Sequence, residues 1–243
     1  MDLGVCVVTG GGRGIGAATA RRAASAGRAV CLSWHSDQHA AEAVAREVGG
    51  QAQRADVAEE REVINLFRAV RELGPVTAAV ANAGIVAPAA PLDEMTVDRM
   101  RRMLEVNVLG VMLTAREAVR CMSTRHGGTG GSIVTVSSIA SRLGSPGEYV
   151  DYAASKGAVD SFTLGLAREV AGKGIRVNAV RPGIVDTDIH ASGGQPDRAE
   201  RVAPQIPMQR AARPDEIAEA IVWLLSDRAS YTTGSILDVG GGR

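Results

Sequence analysis

The start of the chain leaves few folds open. Leu3-Gly4-Val5-Cys6-Val7-Val8-Thr9 is a continuous apolar run, the pattern of a central strand in a parallel sheet. Gly10-Gly11-Gly12-Arg13-Gly14-Ile15-Gly16 follows, and an alanine-rich helix extends from there to about Ala26. Glycines let the backbone turn sharply and let a phosphate approach the N–H groups at a helix start. The unit is a strand, a phosphate-cradling turn and a helix, and Gly12 to Ala17 fits the G-x-G-x-x-A form of such turns. A tight turn without a ligand would not explain so many glycines.

The alternation then repeats. Strands are expected at Arg28–Ser33, 51–55, Ala78–Ala81, Ser132–Val136, Ile175–Val180 and Ser235–Val239. Helices are expected at Asp37–Val48, about Glu59–Leu73, roughly 96–123, Asp151–Ala171 with Asp151 as its cap, and Pro214 to about Ser226. No linker, low-complexity tract or further repeat interrupts the pattern, and 243 residues suit one large domain. A single doubly wound α/β domain over 1–243 is the expectation. Within it, 188–212 is irregular, broken by Gly193-Gly194, Pro196, Pro204 and Pro207. It follows the C-terminal end of a strand, where α/β proteins bind ligands, and so reads as a mobile lid over substrate.

Composition excludes several function classes. Lys+Arg and Asp+Glu are both 27, so no net field draws the chain to nucleic acid or an acidic membrane. Aromatics are 3% of residues, too few for single-strand stacking platforms. The chain opens Met-Asp without a basic-then-apolar leader, and no apolar run reaches spanning length, which points to the cytoplasm. Cys6, Cys31 and Cys121 form no C-x-x-C pair, and His35, His39, His126 and His190 show no H-E-x-x-H spacing. No metal site is expected.

The candidate chemistry lies between Ser137-Ser138 and Lys156. Tyr152 and Lys156 stand four apart on an expected helix, so both project from one face. An ammonium beside a phenol favours phenolate and should lower the tyrosine pKa. Such a tyrosine can give a proton to a carbonyl oxygen or take one from an alcohol. Tyr149 is the internal control, since Ala153 stands four residues on and no charge tunes it. Asn107, in Val106-Asn107-Val108-Leu109, is either a satisfied core amide or a group facing a polar site. Asp56 at a strand tip can receive an adenine amino group or cap a helix. The second strand ends Leu32-Ser33-Trp34-His35-Ser36, with no carboxylate at its tip to repel a 2′-phosphate. Arg13, His35 and Ser36 are its candidate contacts, so NADP(H) is favoured and NAD(H) is the alternative.

Together these motifs resemble the short-chain dehydrogenase/reductase family, over nearly the whole chain from Val5. The family's Thr-Gly-x-x-x-Gly-x-Gly stands as Thr9, Gly10, Gly14 and Gly16; its Asn-Asn-Ala-Gly as Ala81-Asn82-Ala83-Gly84, with the first position changed. Its Tyr-x-x-x-Lys is Tyr152 and Lys156, and its Pro-Gly with a later Thr is Pro182, Gly183 and Thr187. The resemblance implies a Rossmann fold with a parallel seven-stranded sheet, and nicotinamide-dependent oxidation or reduction of a small-molecule alcohol or carbonyl. It implies Tyr152 as general acid/base, Lys156 on the nicotinamide ribose, Ser138 on the reacting oxygen and Asn107 in a proton relay. Gly12, Ile15, Ala83 and Gly84 belong to the cofactor walls, Ile184 and Thr187 to the carboxamide, Asp56 and Val57 to the adenine.

Ser138 lies one residue further from Tyr152 than is usual in the family, which leaves Ser137 as a rival and should reshape the 144–149 loop. The look is closest to glucose-dehydrogenase-like and 3-oxoacyl-carrier-protein-reductase-like members. For a carrier-protein substrate, Arg181, Arg198, Arg201, Arg210 and Arg213 would be the basic patch. Family habit implies a homotetramer, or a dimer, built through the 96–123 and 151–171 helices and the last strand. The competing expectation is a catalytically silent NADP(H)-binding sensor or structural subunit.

Overall fold

A computed structural model describes residues 3–243; Met1 and Asp2, the opening on which the expectation of no leader was based, lie outside the described residues. The apolar runs become strands β1 (Val5–Val8), β2 (Ala29–Trp34), β3 (Gln51–Arg54), β4 (Val76–Ala81), β5 (Gly131–Val136), β6 (Ile175–Pro182) and β7 (Ile236–Val239). They form one sheet in the order β3-β2-β1-β4-β5-β6-β7, with every neighbouring pair parallel. The chain winds outward from β1 in one direction and from β4 in the other. In such sheets the crevice for a ligand opens where the direction reverses, outside the carboxyl ends of the strands.

Helices α1 (Gly14–Ser25), α2 (Gln38–Glu47), α3 (Glu60–Val70), α4 (Val97–Leu104), α5 (Gly110–Met122), α6 (Ala140–Leu143) and α7 (Val150–Val170) follow in turn. After β6 come α8 (Ile189–Ser192), α9 (Arg198–Val202) and α10 (Pro214–Leu225). Alternation along β1 divides the core. Val5 and Val7 join Leu66, Phe67, Leu113 and Val170 on the α3, α5 and α7 side, while Cys6 and Val8 join Ala20, Val44 and Ile221 on the α1, α2 and α10 side. All of these are buried, which is why the central strand β1 is so uniformly apolar.

Three expectations need correction. The helix over 96–123 is not continuous, because α4 passes into a π-helical turn, Glu105–Leu109, before α5 begins. Its cause is a contact across the chain: Asn107 is fully buried and bonds sideways to the backbone of Ile85, and the wider turn accommodates that reach. Just beyond it the helix presses on the chain after β3, where a Cβ on Gly110 would stand 2.6 Å from Val57 Cγ2.

Next, 188–212 is not irregular throughout: α8, α9 and a 3-10 turn, Ala203–Gln205, occupy it. Gly193-Gly194, Pro196 and Pro207 mark the edges of helical turns too short to show a period, while Pro204 sits inside the 3-10 turn.

Finally, Asp151 is not the cap of α7. Tyr149 holds that position, and Asp151 sits inside the first turn, accepting the Tyr152 N–H at 2.9 Å. The helix starts earlier because Ser145, at a left-handed φ of 46°, turns its carbonyl onto the Tyr149 N–H.

Candidate active site

The glycine turn is built by β1 and sealed by β4. Thr9 Oγ1 accepts the N–H groups of Asn82 at 3.1 Å and Ala83 at 3.2 Å. Asn82 Nδ2 returns bonds to the carbonyls of Thr9 at 2.9 Å and Gly10 at 3.1 Å. A Cβ on Gly16 would lie 2.3 Å from the Gly10 carbonyl oxygen, so the turn closes on itself only with glycine there. No side chain caps the first turn of α1, and its open N–H groups carry the positive end of the helix dipole. Cradle and dipole together suit a pyrophosphate.

At the tip of β2, Asp37 is turned into the next helix, where its Oδ1 accepts the Ala40 N–H at 3.0 Å. His35 and Ser36 face the crevice beside Arg13. Asp56 is not the cap of α3, a position that Glu59 holds: its Oδ1 accepts the Ala58 N–H at 3.0 Å in the turn before that helix, and Oδ2 meets Arg102 at 2.9 Å and His35 at 3.4 Å. Burial opposes its charge, but the Ala58 N–H, Arg102 and His35 outweigh it and hold its pKa below the ordinary carboxylate value. Arg102 carried no sequence signal, since nothing in the order of residues says that α4 passes over the end of β3.

At the other end α7 presents Tyr152 and Lys156. Lys156 is buried, donates from Nζ to the Val136 carbonyl at 2.8 Å, and stands 5.6 Å from the Tyr152 ring centroid. Burial lowers its pKa to about 8, against the pull of Asp160. The tyrosine departs from expectation. Burial raises the Tyr152 pKa, and hydrogen bonding with Ser138 only partly opposes this. The ammonium is drawn to the Val136 carbonyl rather than to the phenol oxygen, so the free protein holds Tyr152 as a protonated phenol.

The two serines diverge. Ser137 is buried and donates to the Lys156 carbonyl at 3.1 Å, while Ser138 Oγ accepts the Ala140 N–H at 3.1 Å and is the hydroxyl beside Tyr152. Of the two alternatives its sequence context allowed, Asn107 is the satisfied core amide. Its Oδ1 accepts the Ile85 N–H at 2.8 Å, and Nδ2 donates to the Ile85 carbonyl at 3.0 Å, Met103 Sδ at 3.0 Å and Ser155 Oγ at 3.2 Å. Yet a Cβ on Gly84 would lie 3.3 Å from Asn107 Oδ1 and 3.5 Å from Lys156 Nζ, so both polar ends converge on one backbone wall.

A cavity of about 520 Å³ connects the two ends. Gly10, Gly12, Arg13, Gly14, Ile15, Gly16, His35, Ser36, Asp56 and Val57 line it, as do Asn82, Ala83, Gly84, Pro182, Gly183, Ile184 and Thr187, together with Ser138, Tyr152 and Lys156. Of the sequence-derived candidates, Asn107 alone stands behind its wall.

Tyr149 is not the untuned control it seemed. Arg198 lies 5.1 Å from its ring centroid, Gln195 donates to its hydroxyl at 2.8 Å, and burial raises its pKa against Arg198. Four of the five arginines of the expected basic patch are paired, Arg181 with Asp160, Arg198 with Glu148, Arg201 with Asp197 and Arg210 with Glu216, which leaves Arg213 of the five outside an ion pair with the described residues. Among the described residues no cluster of His, Cys, Asp and Glu is arranged for a metal, and no helix is long and apolar enough to cross a membrane.

Comparisons with known proteins agree with this geometry. A family model described as enoyl-(acyl carrier protein) reductase matches residues 10–243. The chain is 51% identical to an uncharacterized oxidoreductase, YgfF, of Escherichia coli K12, covering 99% of this chain and 100% of that protein. It is 43% identical to cis-4-hydroxycyclohexanecarboxylate dehydrogenase of Sinomonas cyclohexanicum, covering 98% and 95%. The crystal structure of a dehydrogenase/reductase from Sinorhizobium meliloti 1021 superposes with a TM-score of 0.90 at 34% identity, covering 100% of this chain and 95% of that one. With likeness along its whole length and the glycine turn, Asn82, Tyr152 and Lys156 gathered on one crevice, the chain belongs to the short-chain dehydrogenase/reductase family, oxidoreductases that use nicotinamide cofactors.

Proposed function

We propose that the protein is an NADP(H)-dependent reductase of a small-molecule carbonyl, or dehydrogenase of the matching secondary alcohol, with Tyr152 as its general acid/base. The observation that carries this is the meeting of Tyr152, Lys156 and Ser138 at the end of the crevice that the glycine turn opens. When bound, the nicotinamide supplies or accepts the hydride. As negative charge grows on the substrate oxygen, Ser138 donates a hydrogen bond to it and Tyr152 delivers a proton from its phenol oxygen. A tyrosine held protonated suits that donation. Lys156 then faces the new phenolate and compensates its charge, while holding the ribose. Asn107 supports the wall through which protons are exchanged with solvent. Ile184 and Thr187 would hold the carboxamide, with Pro182 and Gly183 beside them in the cofactor wall, and Asp56 and Val57 would border the adenine.

The 2′-phosphate would meet Arg13, His35 and Ser36 with no carboxylate at the strand tip. A charged hydrogen bond is worth roughly 1.5–3 kcal/mol, so kcat/KM for NADPH should exceed that for NADH by about tenfold or more. The assay is loss of nicotinamide absorbance over a panel of ketones, aldehydes, diketones and 3-oxoacyl thioesters, with each cofactor at sub-saturating concentration. Equal rates with NADH would overturn the preference. Cofactor bound tightly with no turnover on any carbonyl would instead favour a silent nucleotide-binding protein.

A second expectation concerns pH. Lys156 is charged below about pH 8 and neutral above it in the free enzyme. kcat/KM for the cofactor reports free-enzyme ionisations and should therefore fall as pH rises through about 8. A profile flat well beyond that point would contradict a charged Lys156 at work.

The same reading makes 1–243 one domain of a cytoplasmic enzyme, with 188–212 as the lid over substrate. It also makes the enzyme a tetramer or dimer. Leu109, Met112 and Leu164 are exposed on the π-helical turn, α5 and α7, where a second copy would cover them.

A further inference from the structure

We propose that Arg99 is a positioning residue for Tyr152, acting through Asp151. This rests on Tyr152 being the proton donor. Arg99 belongs to α4, and Asp151 immediately precedes Tyr152 in the first turn of α7. The two side chains are 14% and 5% exposed, and their contact is a fork: Nε to Oδ2 at 2.8 Å and Nη2 to Oδ1 at 3.2 Å. The remaining guanidinium nitrogen, Nη1, donates to the Pro88 carbonyl at 2.6 Å. A fork of this kind fixes direction as well as distance.

The need for it lies in how α7 begins. Helix first turns have N–H groups without partners inside the helix, and they fray unless something outside holds them. Here the N-cap residue, Tyr149, offers no side-chain cap, and the chain reaches it through Gly144, Ser145 and Gly147, all at positive φ. Tyr152 would therefore sit on a loose turn at the end of a strained loop. Asp151 Oδ1 takes up the Tyr152 N–H at 2.9 Å, and Arg99 holds Asp151 in place from α4.

The same guanidinium joins three walls of the crevice. α4 leads into the turn that carries Asn107, Pro88 lies on the segment that begins at Asn82, and Asp151 precedes Tyr152. A further backbone bond, from the Ala90 N–H to the Glu148 carbonyl at 3.1 Å, ties the second and third walls beside it. Arg99 touches neither cofactor site nor reacting atoms, so it acts only by holding other groups still.

Displacing a reacting group by about 1 Å can cost on the order of a hundredfold in rate. Arg99→Gln and Asp151→Asn should each lower kcat about 10- to 100-fold, with KM for NADPH changed less than about threefold. Because the two act as one unit, the double variant should be no slower than the worse single. It also leaves no unpaired buried charge, so it should fold where a single variant strains. Thermal melting and nicotinamide fluorescence on binding would accompany each assay, with Tyr152→Phe measured in parallel.

Singles with kcat within about twofold of wild type, or losses that multiply in the double variant, would overturn the inference. So would a fall in kcat matched by an equal fall in cofactor binding, the mark of general loosening. If Tyr152→Phe kept full turnover, the reading of the tyrosine itself would fail, whatever the pair does.

Discussion

Tyr152→Phe protein should reduce its carbonyl substrate about a thousandfold more slowly than the wild type while binding NADPH as tightly. The change deletes one oxygen and keeps the ring, so packing in the first turn of α7 is preserved. Lys156 keeps its bond to the Val136 carbonyl, since that contact does not involve the phenol. Only the hydroxyl beside Ser138, the proposed proton donor, is lost. Because that donation is made in the transition state, kcat and kcat/KM should drop by the same factor. Steady-state rates and a binding isotherm on the same preparation decide it. Turnover within about tenfold of wild type would assign the proton to another group. A loss confined to KM would make Tyr152 a binding residue.

Asn107→Leu should damage both stability and turnover. Asn107 is fully buried and serves both backbone groups of Ile85. A leucine fills similar space but leaves that N–H and that carbonyl, both part-buried, without their partner, at about 1–3 kcal/mol each. For a chain of this size the sum corresponds to a melting temperature lower by roughly 5–15 °C. The π-helical turn would lose the bond that accounts for it, and the Gly84–Ile85 wall beside Lys156 would relax. Turnover should fall more than about tenfold even well below the melting transition. An unchanged melting temperature would mean that water replaces the amide, and that the turn is set by something other than Asn107.

Much of this architecture could be read from residue order because the signals are local. Glycines after an apolar strand, alternation of strand and helix, and Tyr152 four before Lys156 each act within a few residues. What escaped was set by contacts across the chain. The break at Glu105–Leu109 depends on Ile85, on a different segment. Arg198 over Tyr149 and Arg102 beside Asp56 are meetings that only the fold arranges. The direction of the Tyr152 shift was missed for a related reason. Helical spacing brings Lys156 near, but the ammonium settles on the Val136 carbonyl of β5, and burial then decides the phenol. In α8 and α9 the segments are too short for any periodicity, and only their glycine and proline boundaries were visible.

The position of β1 in the sheet bears on how the chain must come together. Its first pairing partner, β2, is close in sequence, but its second, β4, begins only at Val76. The bonds that close the phosphate turn span 72 and 73 residues, from Asn82 back to Gly10 and Thr9. During synthesis the turn that would grip a nucleotide is made almost at once, yet it stays open until Asn82 has cleared the ribosome and β4 has docked. Contacts of such long sequence separation make folding slow and leave apolar strands uncovered meanwhile. The N-terminal strand, the earliest part of the sheet to be made, therefore waits for β4 before it is paired along both edges.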